Sequence, residues 1–146
     1  MKYDVKEIYE KSEELLGKEV IVQGWVRNHR KQKEFGFIDF SDGTCFNHLQ
    51  VVYDNKLDSF DEITKIKNGS AIEVTGLKVK SEGKGQSIDS KVKSIKLLGD
   101  CPDDYPMQPK PHSREFLREQ AYLRPRTNLF QAVFRIRSVA AHAIHT

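Results

Sequence analysis

Cysteine is scarce in this 146-residue chain: Cys45 and Cys101 lie far apart with no Cys-x-x-Cys spacing. That excludes a disulfide framework and points to reduced thiols in a cytosolic protein. No run approaches 18 apolar residues, and Met1-Lys2-Tyr3-Asp4 leads into no apolar signal core, so neither a membrane span nor secretion is expected. Charge of one sign is lacking too, with 24 Lys+Arg against 21 Asp+Glu for a net +3. Basicity can therefore act only by where it sits, which excludes a histone-like coat but not a structured RNA site. Chemistry-bearing motifs are equally thin. Cys45 and His48 form a Cys-x-x-His pair with no second pair to complete a zinc shell, and His142 and His145 are spaced like many surface histidines on a helix. Gly83-Lys84-Gly85 lacks the glycine spacing and Lys-Ser/Thr ending of a phosphate loop, and no Ser/His/Asp or Cys/His set has local support. No catalytic residue, metal ligand or bound cofactor is expected in this chain.

What is present concentrates between Gly24 and Tyr53. With 38% hydrophobic residues the chain can hold one modest core plus an appendage, not two full domains. Val20, Val22, Gly24 and Val26 alternate with more polar or aromatic neighbours, Phe35, Phe37, Ile38 and Phe40 form a short aromatic run, and Ser41-Asp42-Gly43-Thr44 reads as a turn before Cys45 to Tyr53. Three consecutive strands are expected, with a basic turn between the first two. The meander sets the cations Arg27, Arg30, Lys31 and Lys33 beside the rings of Phe35 and Phe37 and the amide of Gln50. Those are the ingredients for holding single-stranded nucleic acid.

Ahead of the meander, Val5, Ile8, Tyr9, Leu15 and Leu16 recur at helical spacing, Asp4 and Glu7 form a capping box, and Gly17 is a stop. A helix over 4–16 with an acidic outer face is expected to lie as a lid on the open end of a small barrel. The strands are expected at Glu19 to Asn28, Phe35 to Phe40 and Cys45 to Tyr53, the last with Leu49, Val51 and Tyr53 on one face and His48, Gln50 and Val52 on the other. Leu57, Phe60, Ile63 and Ile66 return to near-helical spacing before Asn68-Gly69. Ala71 to Lys80 then alternates, as does Ser87 to about Leu98 beyond the loop 81–86, through Ile88, Val92, Ile95 and Leu97. Three strands, a helix and two strands is the order of an all-β, five-stranded Greek-key OB-fold barrel, whose usual ligands are oligonucleotides and oligosaccharides.

Because such barrels also bind sugars and proteins, the side chains have to decide. Trp25, beside Gly24 on the first strand, reads as a core or barrel-edge residue. Phe35, Phe37 and Phe40 could all pack inside, yet strict alternation sends Phe35 and Phe37 to the face opposite Ile38 and Phe40. An outward Phe on strand two is placed to stack a base. Gln50 can donate from its amide to one atom of a base edge and accept from the next, which suits the Watson-Crick edge of uracil; a solvated glutamine on a half-exposed strand fits the pattern as well.

After Gly99 the composition changes, and Pro102, Pro106, Pro109 and Pro111 make 101–111 a stiff, extended linker that ends a barrel domain of 1–100. His112-Ser113 opens a brief helix from Arg114 to Ala121, Arg124-Pro125-Arg126 interrupts, and Asn128 with Gln131 opens a longer helix. Ala132, Val133, Ile136, Val139, Ala140, Ala143 and Ile144 give that helix an apolar face, for which a partner in trans or in further sequence is expected.

Tyr105-Pro106, His112-Ser113-Arg114-Glu115-Phe116-Leu117-Arg118-Glu119 and Tyr122-Leu123-Arg124-Pro125-Arg126-Thr127-Asn128, together with Gly24-Trp25-Val26-Arg27 and Ser41-Asp42-Gly43, resemble bacterial-type asparaginyl-tRNA synthetases of the class II aspartyl/asparaginyl/lysyl subgroup. The Leu-Arg-Pro-Arg-Thr run separates this family from its aspartyl and lysyl relatives. The resemblance implies an N-terminal anticodon-binding domain followed, over 112–146, by the start of a catalytic domain with part of the motif 1 helix of the dimer interface. It implies that Phe37 stacks on the central anticodon base, that Gln50 reads it as uridine, and that Arg30 holds the backbone of the anticodon stem-loop. Asp89 stands where the family often has a Glu at the anticodon pocket, and Tyr122 where a His is common. With Arg27 at the pocket and Lys31, Lys33 and Lys84 as electrostatic contacts, these form the expected tRNA site. The whole enzyme would be a cytoplasmic homodimer that uses ATP and Mg2+ to activate asparagine and attach it to tRNA, whereas this chain alone would bind without catalysing. The second reading is a stand-alone OB protein that binds single-stranded nucleic acid; a third is a synthetase-related protein-interaction module.

Overall fold

The computed structural model describes residues 1–80 and 88–146, with side chains described for all of these except 79, 80 and 88–91. The loop 81–86, and Lys84 in it, lie outside the described residues. The first strand, β1 (Glu19–Lys31), is long enough to serve two neighbours. Residues 19–25 pair antiparallel with β4 (Ala71–Lys80), and residues 25–31 pair antiparallel with β2 (Phe35–Ser41). β2 pairs with β3 (Leu49–Asp54), β3 runs parallel to β5 (Ile88–Gly99), and β5 pairs antiparallel with β4. The order β1-β2-β3-β5-β4 closes on itself, the OB-type barrel that the element order anticipated. Gly24 stands at the corner where β1 changes partners. A Cβ there would lie 2.6 Å from the Ser41 carbonyl oxygen and 2.7 Å from Phe40 Cζ, so only hydrogen fits.

Inside, the alternating residues Val20, Val22 and Val26 meet Ile38, Phe40, Leu49, Val51, Tyr53, Ile72, Val74 and Val92. Each large apolar side chain removed from water contributes about 1.5–3 kcal/mol. The two ends of the core are covered by short helices. α1 (Val5–Glu10) contributes Val5 and Ile8, and α2 (Phe60–Thr64), in the connection between β3 and β4, contributes Ile63, with Ile66 just beyond it. The capping box of Asp4 and Glu7 is formed. Two further first-turn amides of α1 reach across the chain: Val5 N–H donates to Asp42 Oδ2 at 2.8 Å and Lys6 N–H to Thr44 Oγ1 at 3.1 Å.

That reach explains two departures from the sequence reading. Strand three begins at Leu49 rather than Cys45, because Asp42 and Thr44 are engaged as caps and Tyr9 Oη donates to the His48 carbonyl at 2.6 Å. The regular part of the first helix ends at Glu10, and residues 11–17 continue as turns to Gly17 at φ +72°. Lys78, itself 1% exposed, donates from Nζ to the carbonyls of Ile8 and Ser12, the acceptors that a longer helix would use for its own amides. β1 runs three residues past Asn28 because β2 pairs with it there, so the turn shrinks to Gln32-Lys33-Glu34. Trp25 is not a core residue: it points outward between the buried Gly24 and Val26 and is 37% exposed. In β5 the ladder skips Lys93 and Leu98, and Leu97, one of the apolar positions that marked the strand, is exposed.

The chain forms two compact units, Met1–Tyr105 and Pro106–Thr146. The last residues of the first are held by its own contacts: Cys101 is buried, and Lys67 Nζ lies 2.8 Å from Asp103 Oδ1. In the second, Ser113 caps α3 (Arg114–Glu119), a 3-10 turn spans Arg124–Arg126, and α4 runs over Asn128–His145. The cap of α4 is Thr127, whose Oγ1 accepts from Phe130 N–H, not Asn128. Ile136, Val139 and Ile144 are exposed along it, and the Arg124 guanidinium lies over the rings of Phe130 and Phe134 at 5.0 and 5.4 Å.

Lys78→Met keeps the buried stem but leaves the Ile8 and Ser12 carbonyls without their donor. Urea unfolding is expected to give a loss of about 1–3 kcal/mol, and hydrogen exchange should quicken in α1 before the barrel strands. Unchanged exchange in α1 would mean that Val5 and Ile8 hold the lid by themselves.

Candidate nucleic-acid interface

The outer face of β1, β2 and β3 is set by one irregularity. Val26 pairs with Phe40 and Asn28 with Asp39, so the β1-β2 register shifts by one residue at Arg27. A strand bulge of this kind reverses the inward and outward alternation beyond it. Ahead of it Val20, Val22 and Val26 point in; beyond it His29 turns in, while Asn28 and Arg30 turn out beside Asp39 and Phe37. Without the slip, Arg27 and His29 would share the outer face and Arg30 would be directed at the core.

Paired residues on adjacent strands carry their side chains on the same side of the sheet, so the register writes out the surface. One row reads Arg30, Phe37, Val52 and the next Asn28, Asp39, Gln50. Arg30 Cζ lies 5.7 Å from the centroid of the Phe37 ring. On the same strand, Phe35 meets Phe37 edge to face at 5.4 Å and 89°. Gln50 is partly exposed on β3, diagonal to Phe37, and in the parallel β3-β5 ladder its backbone partner is Asp89. The arrangement is a flat ring with a cation over it and an uncharged donor-acceptor amide alongside.

Phe37, Gln50 and Arg30 thus come together as neighbours. Lys31 follows Arg30 at the strand end opposite Gly36, and Lys33 sits in the tight turn. Arg27 is separated from them by occupying the bulge, and Asp89 reaches the same region through its backbone register alone. Asp39, and its pairing with His48, escaped the sequence reading. Asp39 Oδ2 lies 3.1 Å from His48 Nδ1, and His48 Nε2 is buried without a hydrogen-bond partner. The outward parity of Asp39 on β2 was a visible signal; its pairing with His48 was not, since it depends on the β2-β3 register and on the loop 42–48.

Beneath this face, His29 supports the sheet from within. Its Nδ1 is 2.9 Å from the Ile66 carbonyl, which can only accept, so Nδ1 carries the proton and Nε2 accepts from Tyr53 Oη at 2.6 Å. Burial lowers the His29 pKa, with Lys31 acting in the same direction and the Ile66 hydrogen bond against it. Burial raises the Tyr53 phenol. The tyrosine ring occupies the space over Gly36, so the histidine, the ring and the glycine lock β1, β2 and β3 together under Phe37.

The model of the OB-fold nucleic acid binding domain matches residues 20–98, more than half of the chain. Among curated relatives, the asparagine--tRNA ligase of Acholeplasma laidlawii is 50% identical over 146 residues, covering 99% of this chain and 32% of that protein. That of Desulfitobacterium hafniense is 48% identical over 141 residues, covering 97% of this chain and 30% of that protein. The chain therefore spans about a third of the length of these relatives. Among solved structures, the asparaginyl-tRNA synthetase of Pyrococcus horikoshii complexed with asparaginyl-adenylate superposes with a TM-score of 0.77 at 22% identity, over 89% of this chain and 30% of that one. An OBody bound to hen egg-white lysozyme superposes at 0.53 and 18% identity over 60% of this chain and 88% of that one. These two likenesses show the fold. No helix among the described residues is long and apolar enough to cross a membrane.

A histidine with a lowered folded-state pKa gives stability that is complete above its unfolded value, about 6.5, and is lost as the pH falls below it. Unfolding free energy is expected to decline from pH 7 into the acid range, and to decline less in His29→Gln. Equal slopes for the two proteins would remove His29 from the pH response.

Proposed function

On the premise that this chain belongs to the family of OB-fold nucleic acid binding domains, we propose that it reads the anticodon of tRNA as the N-terminal part of an asparagine--tRNA ligase. The observation that carries the reading is the outward Phe37 with Gln50 diagonal to it on the next strand. A base stacked on the Phe37 ring would turn its edge toward Gln50, whose amide donates to a uracil carbonyl and accepts from uracil N3–H. A free amide could turn over to suit cytosine instead. The acceptor-only carboxylate of Asp39, directly opposite Gln50 in register, favours the amide NH2 on its own side and so restricts that choice. Arg27, Lys31, Lys33 and Lys84 supply sequence-independent attraction for phosphates, and Asp89 is assigned to a flanking anticodon base.

The relatives match 97–99% of this chain, including 101–146 outside the barrel, which favours this reading over a stand-alone single-strand binder. It divides the chain into an anticodon-binding barrel over 1–100, a linker over 101–111 and the start of a catalytic domain over 112–146. In the whole enzyme, ATP and Mg2+ would serve activation of asparagine and its transfer to tRNA. Among the described residues no group of three or more His, Cys, Asp or Glu side chains is placed to hold a metal ion, and no residue of this chain is assigned a role toward either. A homodimer in the cytoplasm is the assembly and compartment that the reading implies, with the apolar face of α4 contributing to the subunit interface.

Binding of anticodon stem-loop RNA to the 146-residue chain tests the assignment. Phe37→Ala should weaken a stem-loop with a central uridine by about 1–3 kcal/mol while the fold is kept. Gln50→Ala should cut the preference for a central U over a central C by about 1–3 kcal/mol, the scale of one bidentate base contact. Wild-type affinity in the first variant and undiminished preference in the second would return both residues to the ordinary surface of a barrel strand.

A further inference from the structure

Asp39 stands between two polar side chains on the outer face of the sheet. Gln50 is its direct partner in the β2-β3 ladder, which sets their Cβ atoms about 4.5–5.5 Å apart. His48 is the diagonal neighbour, two residues ahead of Gln50 and of the same parity, and its Nδ1 lies 3.1 Å from Asp39 Oδ2. A carboxylate only accepts, so Nδ1 carries the proton and His48 is the donor. Among the described residues no lysine or arginine is ion-paired with Asp39, and its partner on β1 is the uncharged Asn28. The histidine is the sheltered member of the pair, its side chain 17% exposed against 40% for Asp39. Its backbone is pinned by Tyr9, whose Oη donates to the His48 carbonyl. The other ring nitrogen, Nε2, is buried with no hydrogen-bond partner among the described residues, which works against folding. An apolar side chain would fill the same space without that cost, so packing does not account for a histidine at this position. The bond from Nδ1–H to Asp39 does.

From this geometry, and resting on the anticodon reading above, we infer that His48 is a positioning residue for base specificity. It fixes Asp39, and Asp39 fixes the amide of Gln50 in the orientation that takes uridine and refuses cytidine. An amide can turn over within its own outline, exchanging its NH2 for its oxygen. Placed one way it matches uracil, which offers a carbonyl oxygen and N3–H; turned over it matches cytosine, which offers N3 as acceptor and N4–H as donor. A carboxylate beside the amide favours the first placement only while it stays there, and Asp39 is exposed enough to swing into solvent. The donor from His48 removes that freedom by holding Oδ2. Oδ1 is then left to accept from the NH2 of Gln50 and to repel the amide oxygen of the turned-over form. His48 touches no base in this scheme. Gln50 remains the reader, and the loop 42–48, tied to α1 through Tyr9, becomes part of what decides its choice.

Two anticodon stem-loops that differ only in a central uridine or cytidine measure this choice as a ratio of affinities, read on the full 146-residue chain and its variants. His48→Leu removes the donor, whereas His48→Asn returns one at the same place, since asparagine Nδ2 and histidine Nδ1 are both bonded to Cγ. The inference predicts that His48→Leu lowers the uridine-to-cytidine ratio by about fivefold or more, and that His48→Asn keeps the wild-type ratio. Asp39→Asn should lower it at least as far, because His48 would hold the new amide by its oxygen and present its NH2 to Gln50, which favours the turned-over form. In a Gln50→Ala background neither His48→Leu nor Asp39→Asn should change the ratio further, the amide they orient being gone. A histidine with a merely structural role would weaken both RNAs by one factor and leave the ratio alone. That result, an equal loss of ratio in His48→Leu and His48→Asn, or a change that persists without Gln50 overturns the inference, while the lowered preference of Gln50→Ala keeps the anticodon reading standing. Should His48→Leu fail to fold, Asp39→Asn with and without Gln50→Ala decides by the same ratios. If the wild-type chain has no preference between the two RNAs, the anticodon reading falls and this inference with it.

Discussion

The ladder between β1 and β2 slips by one residue at Arg27, and since side chains alternate with a period of two, everything beyond that point changes sides. Val26 belongs to the core, Arg30 belongs to the surface, and His29 between them is drawn inward to Ile66 and Tyr53. The slip does two things with one extra residue. It gives the interior a polar brace whose two ring nitrogens are both satisfied, and it gives the exterior a guanidinium over an aromatic ring. A half-buried histidine with an unmet nitrogen would have been a penalty on folding; hydrogen-bonded on both sides, it ties β1 to β3 and to the segment after α2.

The same economy is visible at the lid. α1 is too short to hold itself together by helix propensity, and its order comes from partners elsewhere in the chain. Asp42 and Thr44 accept its first amides, Lys78 donates to carbonyls at its end, and Val5 and Ile8 sit in the core. Those contacts also hold the loop that leads into β3, and Tyr9 anchors the His48 carbonyl just before Leu49. A helix packed on the core thereby helps to hold the loop that leads to Gln50 and its register partner Asp39. Binding surfaces on β-strands gain precision from this kind of support, because the cost of ordering the side chains' backbone is met on folding and not on association.

Net charge contributes little to the picture. With a balance of only +3, long-range steering is weak, and attraction for a polyanion has to come from the local group Arg30, Lys31 and Lys33 at the β1-β2 turn. On the proposed reading, cations concentrated at the tip of one hairpin beside two rings would attract a loop of RNA by charge, leaving stacking and hydrogen bonding, which act only at contact distance, to sort it. In the second unit the arginines serve a different end: Arg124 lies against Phe130 and Phe134, fixing the turn before α4 to the helix that follows it.

Local pattern determined a great deal by itself. The order of strands and helices, the capping box at Asp4, the inward set Leu49, Val51 and Tyr53, and the outward direction of Phe37 and Gln50 are all properties of spacing along one strand or one helical turn, where a few neighbouring residues carry the signal. The tertiary structure decided what depends on residues distant in sequence. The end of α1 was set by Lys78 on β4, the start of β3 by caps given to α1, the length of β1 by β2, and the exposure of Leu97 by the register slips between β4 and β5. Above all, the meeting of Arg30 with Phe37 rests on a bulge that no periodicity in the first strand announces, because an extra residue is defined only by the partner strand that lacks it.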